Sequence, residues 1–293
     1  MIKKWIEAAR PRTLPTSVSP VIAASAYAWY LNTFNGYTAT ICFMFALLAQ
    51  IASNFGNDYF DYQKGSDRAD RVGPRRAVAS GDISAKAMLS ATCIVLTLAC
   101  ITGCLLIPTG GWELIIAGIF IAIFALAYSA GPYPLSYHGL GDVTVFIFFG
   151  LIAVNLTFYV QALYFDWQVF YCSIAMGLLS VNILMVNNYR DKESDEISDK
   201  RTLVVIFGRK FAERAYLLNG IIALIATGTI WFDSIYGYIA ALLYLGIHIQ
   251  TWRKLIKKKG PELNPILGKT AGNQLIFTLL LVFILVINRI TES

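Results

Sequence analysis

Blocks of about twenty apolar residues recur along the chain and constrain its fold more than any other feature. A helix needs roughly 20 residues to cross a hydrocarbon core of about 30 Å, since each residue adds about 1.5 Å. The 293 residues are 57% hydrophobic and only 14% charged, whereas about 25% of a soluble domain is charged. The sequence therefore predicts an all-α integral membrane protein and argues against a nucleic-acid-binding domain.

The order of apolar blocks and loops predicts a bundle of nine transmembrane helices in a single domain that covers residues 1–293. Turns of a few residues alternate with long, charged loops, as expected when only one membrane face carries function. The predicted spans are 14–33, 38–56, 86–107, 112–130, 141–163, 167–187, 215–232, 235–252 and 270–288.

Basic residues sort to one side of this nine-helix arrangement. Of the 24 Lys and Arg residues, 23 fall in the N-terminus or the long loops, and only Arg289 falls opposite. Loops rich in Lys and Arg stay in the cytoplasm. The pattern therefore predicts a cytoplasmic N-terminus and a site that faces the cytoplasm, and we expect a bacterial inner-membrane protein.

Two long loops begin with matching sets of amide and carboxylate side chains. If the preceding helices continue into the loops, each set shares one stripe of its helix at about 100° per residue. A carboxylate costs about 2.5–3.5 kcal/mol at the bilayer centre on insertion scales, so four of them near the membrane need compensation. The sets are Asn54, Asp58 and Asp61 in the first segment and Asn188, Asp191 and Asp195 in the second.

The compensating group predicted from these side chains is a hard divalent cation. Every nearby ligand atom is oxygen, and the two histidines, His138 and His248, are far apart in sequence. Mg²⁺ takes one or two carboxylates and completes its shell with water and phosphate oxygens. The sequence therefore predicts Mg²⁺ and a phosphorylated substrate, whose remaining charge falls to nearby Lys and Arg side chains.

The loop at 128–142 contains no Lys or Arg but three tyrosines and one histidine. Aromatic faces of this kind could hold an aromatic substrate or shield a carbocation. The alternative is an ordinary Gly/Pro turn with tyrosines at the membrane interface. Asp142 stands out because it is a carboxylate at the start of an apolar span.

Four stretches together resemble the UbiA superfamily of intramembrane aromatic prenyltransferases, and the resemblance covers nearly the whole chain. They are ARPRTLP at 9–15, NDYFDYQKGSD at 57–67, YSAGPYPLSYHGLGD at 128–142 and NNYRDKESDEISDKRTL at 187–203. The resemblance implies transfer of a polyprenyl group from polyprenyl diphosphate to an aromatic acid, with active-site loops near 57–85, 128–142 and 188–214. The third stretch and the R-x-G-P-x-R run at 71–76 narrow it to members that prenylate 1,4-dihydroxy-2-naphthoate with decarboxylation.

The resemblance also implies roles for individual residues. The four aspartates are the expected catalytic, metal-binding residues, joined by Asn57. The expected diphosphate partners are Lys64, Arg68, Arg75 and Lys200. Arg10 or Arg12 would receive the acceptor carboxylate. Further expected substrate contacts are Asn54, Tyr128, Tyr133, His138 and Asn188.

The chain departs from the superfamily pattern at three places. It has Gly65 and then Asp67 where relatives often carry a fourth acidic residue, it lacks the lysine that many relatives place in the 128–142 loop, and it has Asp199 instead of the usual glycine. Two alternatives stay open: another aromatic acceptor, either 4-hydroxybenzoate or homogentisate, or a multi-pass transporter. The sequence gives neither prenyl chain length nor oligomeric state.

Overall fold

A computed structural model describes residues 1–65 and 73–292, and every regular element in these ranges is helical. Short helical turns at Ile107–Gly110 and Gly228–Trp231 connect some of the longer helices. The helices named below are α1 Ile2–Ala8, α2 Pro15–Tyr30, α3 Gly36–Gln63, α4 Ala85–Cys104, α5 Glu113–Ala127, α6 Gly141–Ala162, α7 Trp167–Ile197, α8 Leu203–Phe207, α9 Arg209–Ala226, α10 Ile235–Leu255 and α11 Asn264–Glu292.

Each predicted span falls on a helix, and the predicted all-α membrane architecture is confirmed in outline. Among the described residues, five helical stretches are long and apolar enough to cross a membrane: α3, α4, α6, α7 and Gly260–Thr291. The helix α5 is apolar but shorter. The count of nine crossings and the side on which the N-terminus lies stay predictions.

Polar side chains fix where several helices begin. Each cap accepts a hydrogen bond from a backbone N–H in the first turn, where the helix itself offers no acceptor. The caps of α3, α4, α7 and α10 are Asn35, Ser84, Asp166 and Ser234.

The helix α7 lies at the centre of the bundle, and 72% of the residues in its most apolar stretch are buried. It packs against α2, α6, α9 and α11. Its contact with α6 is backbone to backbone, because a Cβ on Gly150 would lie only 2.6 Å from the Cα of Gly177. The π-helical turn Phe146–Ile152 lies at this contact. The C-terminal part of α7, which carries the second carboxylate set, is thus anchored to the core.

Buried amide and hydroxyl groups link α7 to its neighbours. The Asn219 amide donates to Asn182 Oδ1 at 2.9 Å, and the Gln274 amide donates to Ser180 Oγ at 3.0 Å. Interhelical hydrogen bonds of this kind support helix association in membranes, where burial of apolar surface between helices gives little net gain.

The helix α1 and the segment after residue 73 cover the end of α3. Trp5 packs edge-on against Phe55, with ring centroids 5.5 Å apart. The Lys4 ammonium lies 2.7 Å from Asp82 Oδ1, and its hydrogen bond lowers the pKa of that carboxyl. The N-terminus and the 73–84 segment therefore form one packed layer over the first carboxylate set.

Candidate active site

One cavity of about 890 Å³ lies between α2, α3, α4, α5 and α6 and the end of α7. Cys42 and Asp61 both line it and both belong to α3, so at about 1.5 Å per residue the cavity extends roughly 28 Å along this helix. Its polar end is lined by Arg10, Arg12, Asn54, Asn57, Asp58, Asp61, Arg75, Arg76, Tyr128, Asn187, Asn188 and Lys200, and its apolar end by Val21, Cys42, Leu106, Ile107, Leu114 and Val160.

The Asp58 carboxylate holds the 73–84 segment against α3. Its Oδ2 accepts the N–H of Ala77 at 3.0 Å, and its Oδ1 accepts the N–H of Val78 at 3.1 Å. The side chain is only 1% exposed. Each carboxylate oxygen has two lone pairs, so one on each oxygen is left to bind a cation from the cavity.

Asp61 lies one turn further along α3 and contacts two side chains from other segments. Its Oδ1 accepts a hydrogen bond from the Tyr137 hydroxyl at 3.1 Å, and its Oδ2 lies 3.8 Å from Arg76 Nη2. The amide oxygen of Asn57 accepts a short hydrogen bond from Ser129. The first set is therefore tied to both the 73–84 segment and the 128–142 loop.

Asn54 joins the first set to the N-terminus. Its Nδ2 donates to the carbonyl of Ala9 at 2.9 Å, and Arg10 Nη2 lies 3.4 Å from the Asn54 carbonyl in return. Arg10 adopts a left-handed backbone conformation with φ 53°. This turn directs the chain from α1 into α2, so Arg10 and Arg12 both reach the cavity.

The second set lies on the same face of α7 as the cavity-lining asparagines. Asn187 and Asn188 line the cavity, whereas Asp191 and Asp195 are buried one and two turns further on. Asp191 is held by Arg190, and Asp195 Oδ1 lies 3.8 Å from Lys200 Nζ. Neither carboxylate lines the cavity itself, and each has a cationic neighbour.

Arg190 directs its donors at protein oxygens. Nε and Nη2 each lie 2.7 Å from one oxygen of Asp191, Nη2 also donates to Asn187, and Nη1 donates to Asn264. Its side chain is fully buried. This guanidinium therefore serves the second set itself.

The turn after α7 brings Lys200 back to the cavity. Asp199 adopts φ 53°, in the left-handed region that favours glycine, and the Lys200 N–H donates to the Asp195 carbonyl at 2.8 Å. This conformation explains why the superfamily pattern has glycine here, since glycine adopts positive φ without a steric penalty.

The predicted basic residues divide by position. Lys200 lines the cavity. Lys64 does not, but its Nζ donates to the carbonyl of Ser129, which is a lining residue, at 2.9 Å. Arg75 borders the cavity with an exposed side chain whose Nε lies 3.1 Å from Asp82. Arg68, like Asp67 and Arg71, lies outside the described residues.

Only part of the 128–142 loop faces the cavity. Tyr128 lines it. Tyr133 and His138 stack on each other at the surface, with centroids 3.6 Å apart, and lie outside the cavity.

Two residues at the site were not among the predicted binding residues. Arg76 approaches Asp61, and Tyr137 donates to it. Both belong to stretches that the sequence analysis singled out. The way the loops fold over α3 decides whether Arg75 or Arg76 approaches Asp61, and which of the loop tyrosines does so. The spacing of these residues in the sequence gave no signal for either choice.

The donor atoms fit Mg²⁺ bound together with a phosphorylated ligand. Among the described residues, no three His, Cys, Asp or Glu side chains lie close enough together to hold a metal ion by themselves. An ion held by one or two carboxylates from either set would therefore take its other ligands from amide oxygens, water and phosphate, as Mg²⁺ does in phosphate-handling sites.

Comparison with known proteins agrees with this arrangement. The sequence pattern of the UbiA prenyltransferase family matches residues 17–286. Two proteins named 1,4-dihydroxy-2-naphthoate octaprenyltransferase, from Haemophilus influenzae and Escherichia coli, are each 34% identical to the chain and cover 95% of it, and the chain covers 94% and 93% of them. The structure of a UbiA homolog from Archaeoglobus fulgidus bound to DMAPP and Mg²⁺ has a TM-score of 0.68 at 14% identity, covering 97% of this chain and 99% of that one. The chain therefore belongs to the UbiA prenyltransferase family.

Proposed function

We propose that the chain transfers a polyprenyl group from polyprenyl diphosphate to 1,4-dihydroxy-2-naphthoate, with Mg²⁺ and with loss of CO₂, giving the quinol form of demethylmenaquinone. The observation that carries this proposal is one continuous cavity, extending roughly 28 Å along α3, whose polar end at Asp58 and Asp61 leads into an apolar end. A prenyl diphosphate matches this cavity, because it joins a charged head to a long apolar chain.

The side chains at the polar end suit departure of the diphosphate. Asn57, Asp58 and Asp61 of the first segment and Asp191 and Asp195 of the second would hold Mg²⁺, which would neutralise charge on the diphosphate oxygens. Lys64, Lys200 and Arg76 add positive charge where the leaving group gains electrons. The allylic C–O bond breaks and its electron pair leaves with the diphosphate.

The remainder of the cavity suits attack by an electron-rich ring. The apolar walls of the cavity exclude water from the allylic cation, and the aromatic side chain of Tyr128 lines the same cavity. Arg10 and Arg12 hold the acceptor carboxylate. The ring carbon that bears the carboxylate forms the new C–C bond, and the carboxylate departs as CO₂ and leaves its bonding electron pair in the ring, which restores aromaticity.

Relatives support naphthoate as the acceptor. The proteins from Haemophilus influenzae and Escherichia coli carry 1,4-dihydroxy-2-naphthoate in their names, and the alignments cover most of both chains. Membership of a prenyltransferase family removes the reason for the transporter alternative. We further propose that the site faces the cytoplasm and that the protein resides in a bacterial inner membrane.

Product analysis tests the proposal. Membranes that contain the protein would be incubated with a polyprenyl diphosphate and with 1,4-dihydroxy-2-naphthoate, 4-hydroxybenzoate or homogentisate in separate reactions. We expect a prenylated product only from the naphthoate, at the mass of the decarboxylated quinol or quinone. A product from 4-hydroxybenzoate that retains its carboxylate, with none from the naphthoate, would overturn the assignment of the acceptor.

A further inference from the structure

Tyr137 contacts groups from both carboxylate segments. Its hydroxyl donates to Asp61 Oδ1 at 3.1 Å. Lys64 Nζ lies 4.7 Å from its ring centroid, and Lys200 Nζ lies 5.6 Å from the same centroid. Both distances fall within the range of cation–π attraction. One side chain thus meets a carboxylate and an ammonium of the first segment and an ammonium of the second.

The surroundings of Tyr137 differ from those of a packing residue. The residue is only 9% exposed, and two ammonium groups and one carboxylate lie around its ring and hydroxyl. A buried aromatic ring ordinarily packs on apolar side chains. The charged groups around Tyr137 point to a role in holding those charges.

Two ammonium groups at one place repel each other unless negative charge or a π face offsets the repulsion. The Tyr137 ring supplies the π face, while Asp61 and Asp195 supply negative charge beside it. Lys64 is further fixed by its hydrogen bond to the Ser129 carbonyl. Each lysine is therefore held beside the same ring before an anion arrives, which reduces the ordering cost of binding it.

We propose that Tyr137 is a positioning residue that gathers Lys64 and Lys200 into one binding pair for the diphosphate of the prenyl donor and orients Asp61 beside it. This inference rests on the proposed function, since it takes the anion at the polar end to be a prenyl diphosphate. Tyr137 acts through the two lysines and Asp61, and the reacting carbon atoms stay outside its contacts.

The backbone makes this proposal testable by side-chain replacement. The Arg201 N–H donates to the Tyr137 carbonyl at 2.9 Å, and the Tyr137 N–H donates to the Pro134 carbonyl at 3.0 Å. Both bonds join main-chain atoms, so they persist when the ring is replaced. The loop thus keeps its attachment to the segment after α7 in a Tyr137 variant.

The experiment compares Tyr137→Phe, which keeps the ring, with Tyr137→Leu, which removes it. Full-length protein in detergent would be titrated calorimetrically with geranylgeranyl S-thiolodiphosphate, a donor analogue that does not ionise, in the presence of Mg²⁺. We expect Tyr137→Leu to raise the Kd about tenfold and Tyr137→Phe to raise it by about threefold or less. The KM of the naphthoate should stay within about twofold for both variants.

Tyr62 provides the matched control. It follows Asp61 directly in sequence but is 44% exposed. Tyr62→Leu and Tyr62→Phe should leave the Kd of the analogue unchanged.

A double-mutant cycle separates positioning from general support of the fold. If Tyr137 acts through the lysines, Tyr137→Leu should cost much less in a chain that carries Lys64→Met and Lys200→Met, because the groups it holds are gone. An equal cost in both backgrounds, an unchanged Kd for Tyr137→Leu, or equal losses for donor and acceptor would each overturn the proposal.

Failure of the proposed function would look different. If wild-type protein binds the analogue but prenylates none of the aromatic acids, the function is wrong, while the ratio of Kd values still decides the role of Tyr137. If wild-type protein does not bind the analogue at all, the positioning role is wrong as well.

Discussion

Arg190 and Asp191 are neighbours in sequence and form a two-point ion pair, in which Nε and Nη2 of the arginine each lie 2.7 Å from a different carboxylate oxygen. The pair is buried in the C-terminal part of α7. Because the guanidinium also donates to Asn187 and Asn264, it fixes both the orientation of Asp191 and the contact between α7 and α11.

Replacement of Arg190 should therefore destabilise the protein. Arg190→Gln leaves the Asp191 carboxylate buried without its two-point partner, a change that costs about 3–5 kcal/mol in buried pairs. The free energy of unfolding in detergent checks this value. Arg201→Gln is the control, because that side chain is 74% exposed beside an exposed Asp199 and should change stability by less than about 0.5 kcal/mol. Equal losses for the two variants would contradict the structural role of Arg190.

Removing charge from either carboxylate set should abolish most turnover. Asp61→Asn and Asp191→Asn keep the shape and one oxygen acceptor but lose the charge that Mg²⁺ requires, so each should lower turnover by at least about 100-fold. Asp191→Asn also loses the ion pair with Arg190, so rates are normalised to folded protein.

Two aspartates from the short turns serve as controls for this pair. Asp166 caps α7 through the N–H groups of Gln168 and Val169, a role that asparagine also fills, and Asp233 lies in the turn before α10. Asp166→Asn and Asp233→Asn should stay within about twofold of wild-type turnover. Near-normal rates for Asp61→Asn and Asp191→Asn would place the active site elsewhere.

Chelation should stop turnover reversibly. Among the described residues, each carboxylate set offers two aspartates beside amide oxygens, ligands that suit a hard divalent ion, so we expect binding of the diphosphate to depend on such an ion. We expect EDTA to lower turnover at least about 100-fold and added Mg²⁺ to restore it, with product measured by mass. Full turnover after exhaustive chelation would rule out a metal requirement.

The loss of the Lys64 proton should determine how kcat/KM declines at alkaline pH. Burial lowers the pKa of Lys64 from its ordinary 10.5, and the attraction of Asp61 offsets this only in part. A lysine with a lowered pKa loses its proton at a lower pH. As the pH rises, kcat/KM for the prenyl diphosphate should therefore begin to decline before pH 10.5 is reached. Lys64→Arg keeps the charge to higher pH and should move this fall upward.

Lys86 is the matched control for the pH experiment, because it is an exposed lysine in the first turn of α4. Lys86→Arg should leave the profile where it is. An identical shift for both variants would mean that another group governs the alkaline side.

Thiol labelling checks the orientation in the membrane. In a chain without its five native cysteines, a cysteine at position 196 should react with an impermeant maleimide only after cells are permeabilised, since the predicted cytoplasmic loop includes it. A cysteine at position 233 should react in intact cells. The reverse pattern would invert the predicted topology.

The sequence alone predicted the two carboxylate sets and determined roughly where the helices lie. Apolar blocks of the length of a bilayer leave a helix as the only solution for the backbone. Carboxylates placed beside such blocks are so costly that two matching sets indicate a bound cation. These features depend on local spacing, which is why the stripes at Asn54 to Asp61 and Asn188 to Asp195 could be read directly.

Tertiary structure alone decided which partner each of these side chains meets. Asp58 accepts two N–H groups from residues 19 and 20 positions later, and Tyr137 reaches Asp61 across 76 positions. Arg76 rather than Arg75 approaches Asp61, and Tyr133 and His138 stack at the surface while Tyr137 turns inward. A loop has no fixed period that tells which of two adjacent side chains faces a cavity, so this choice follows from the packing of the loop against α3 and α7.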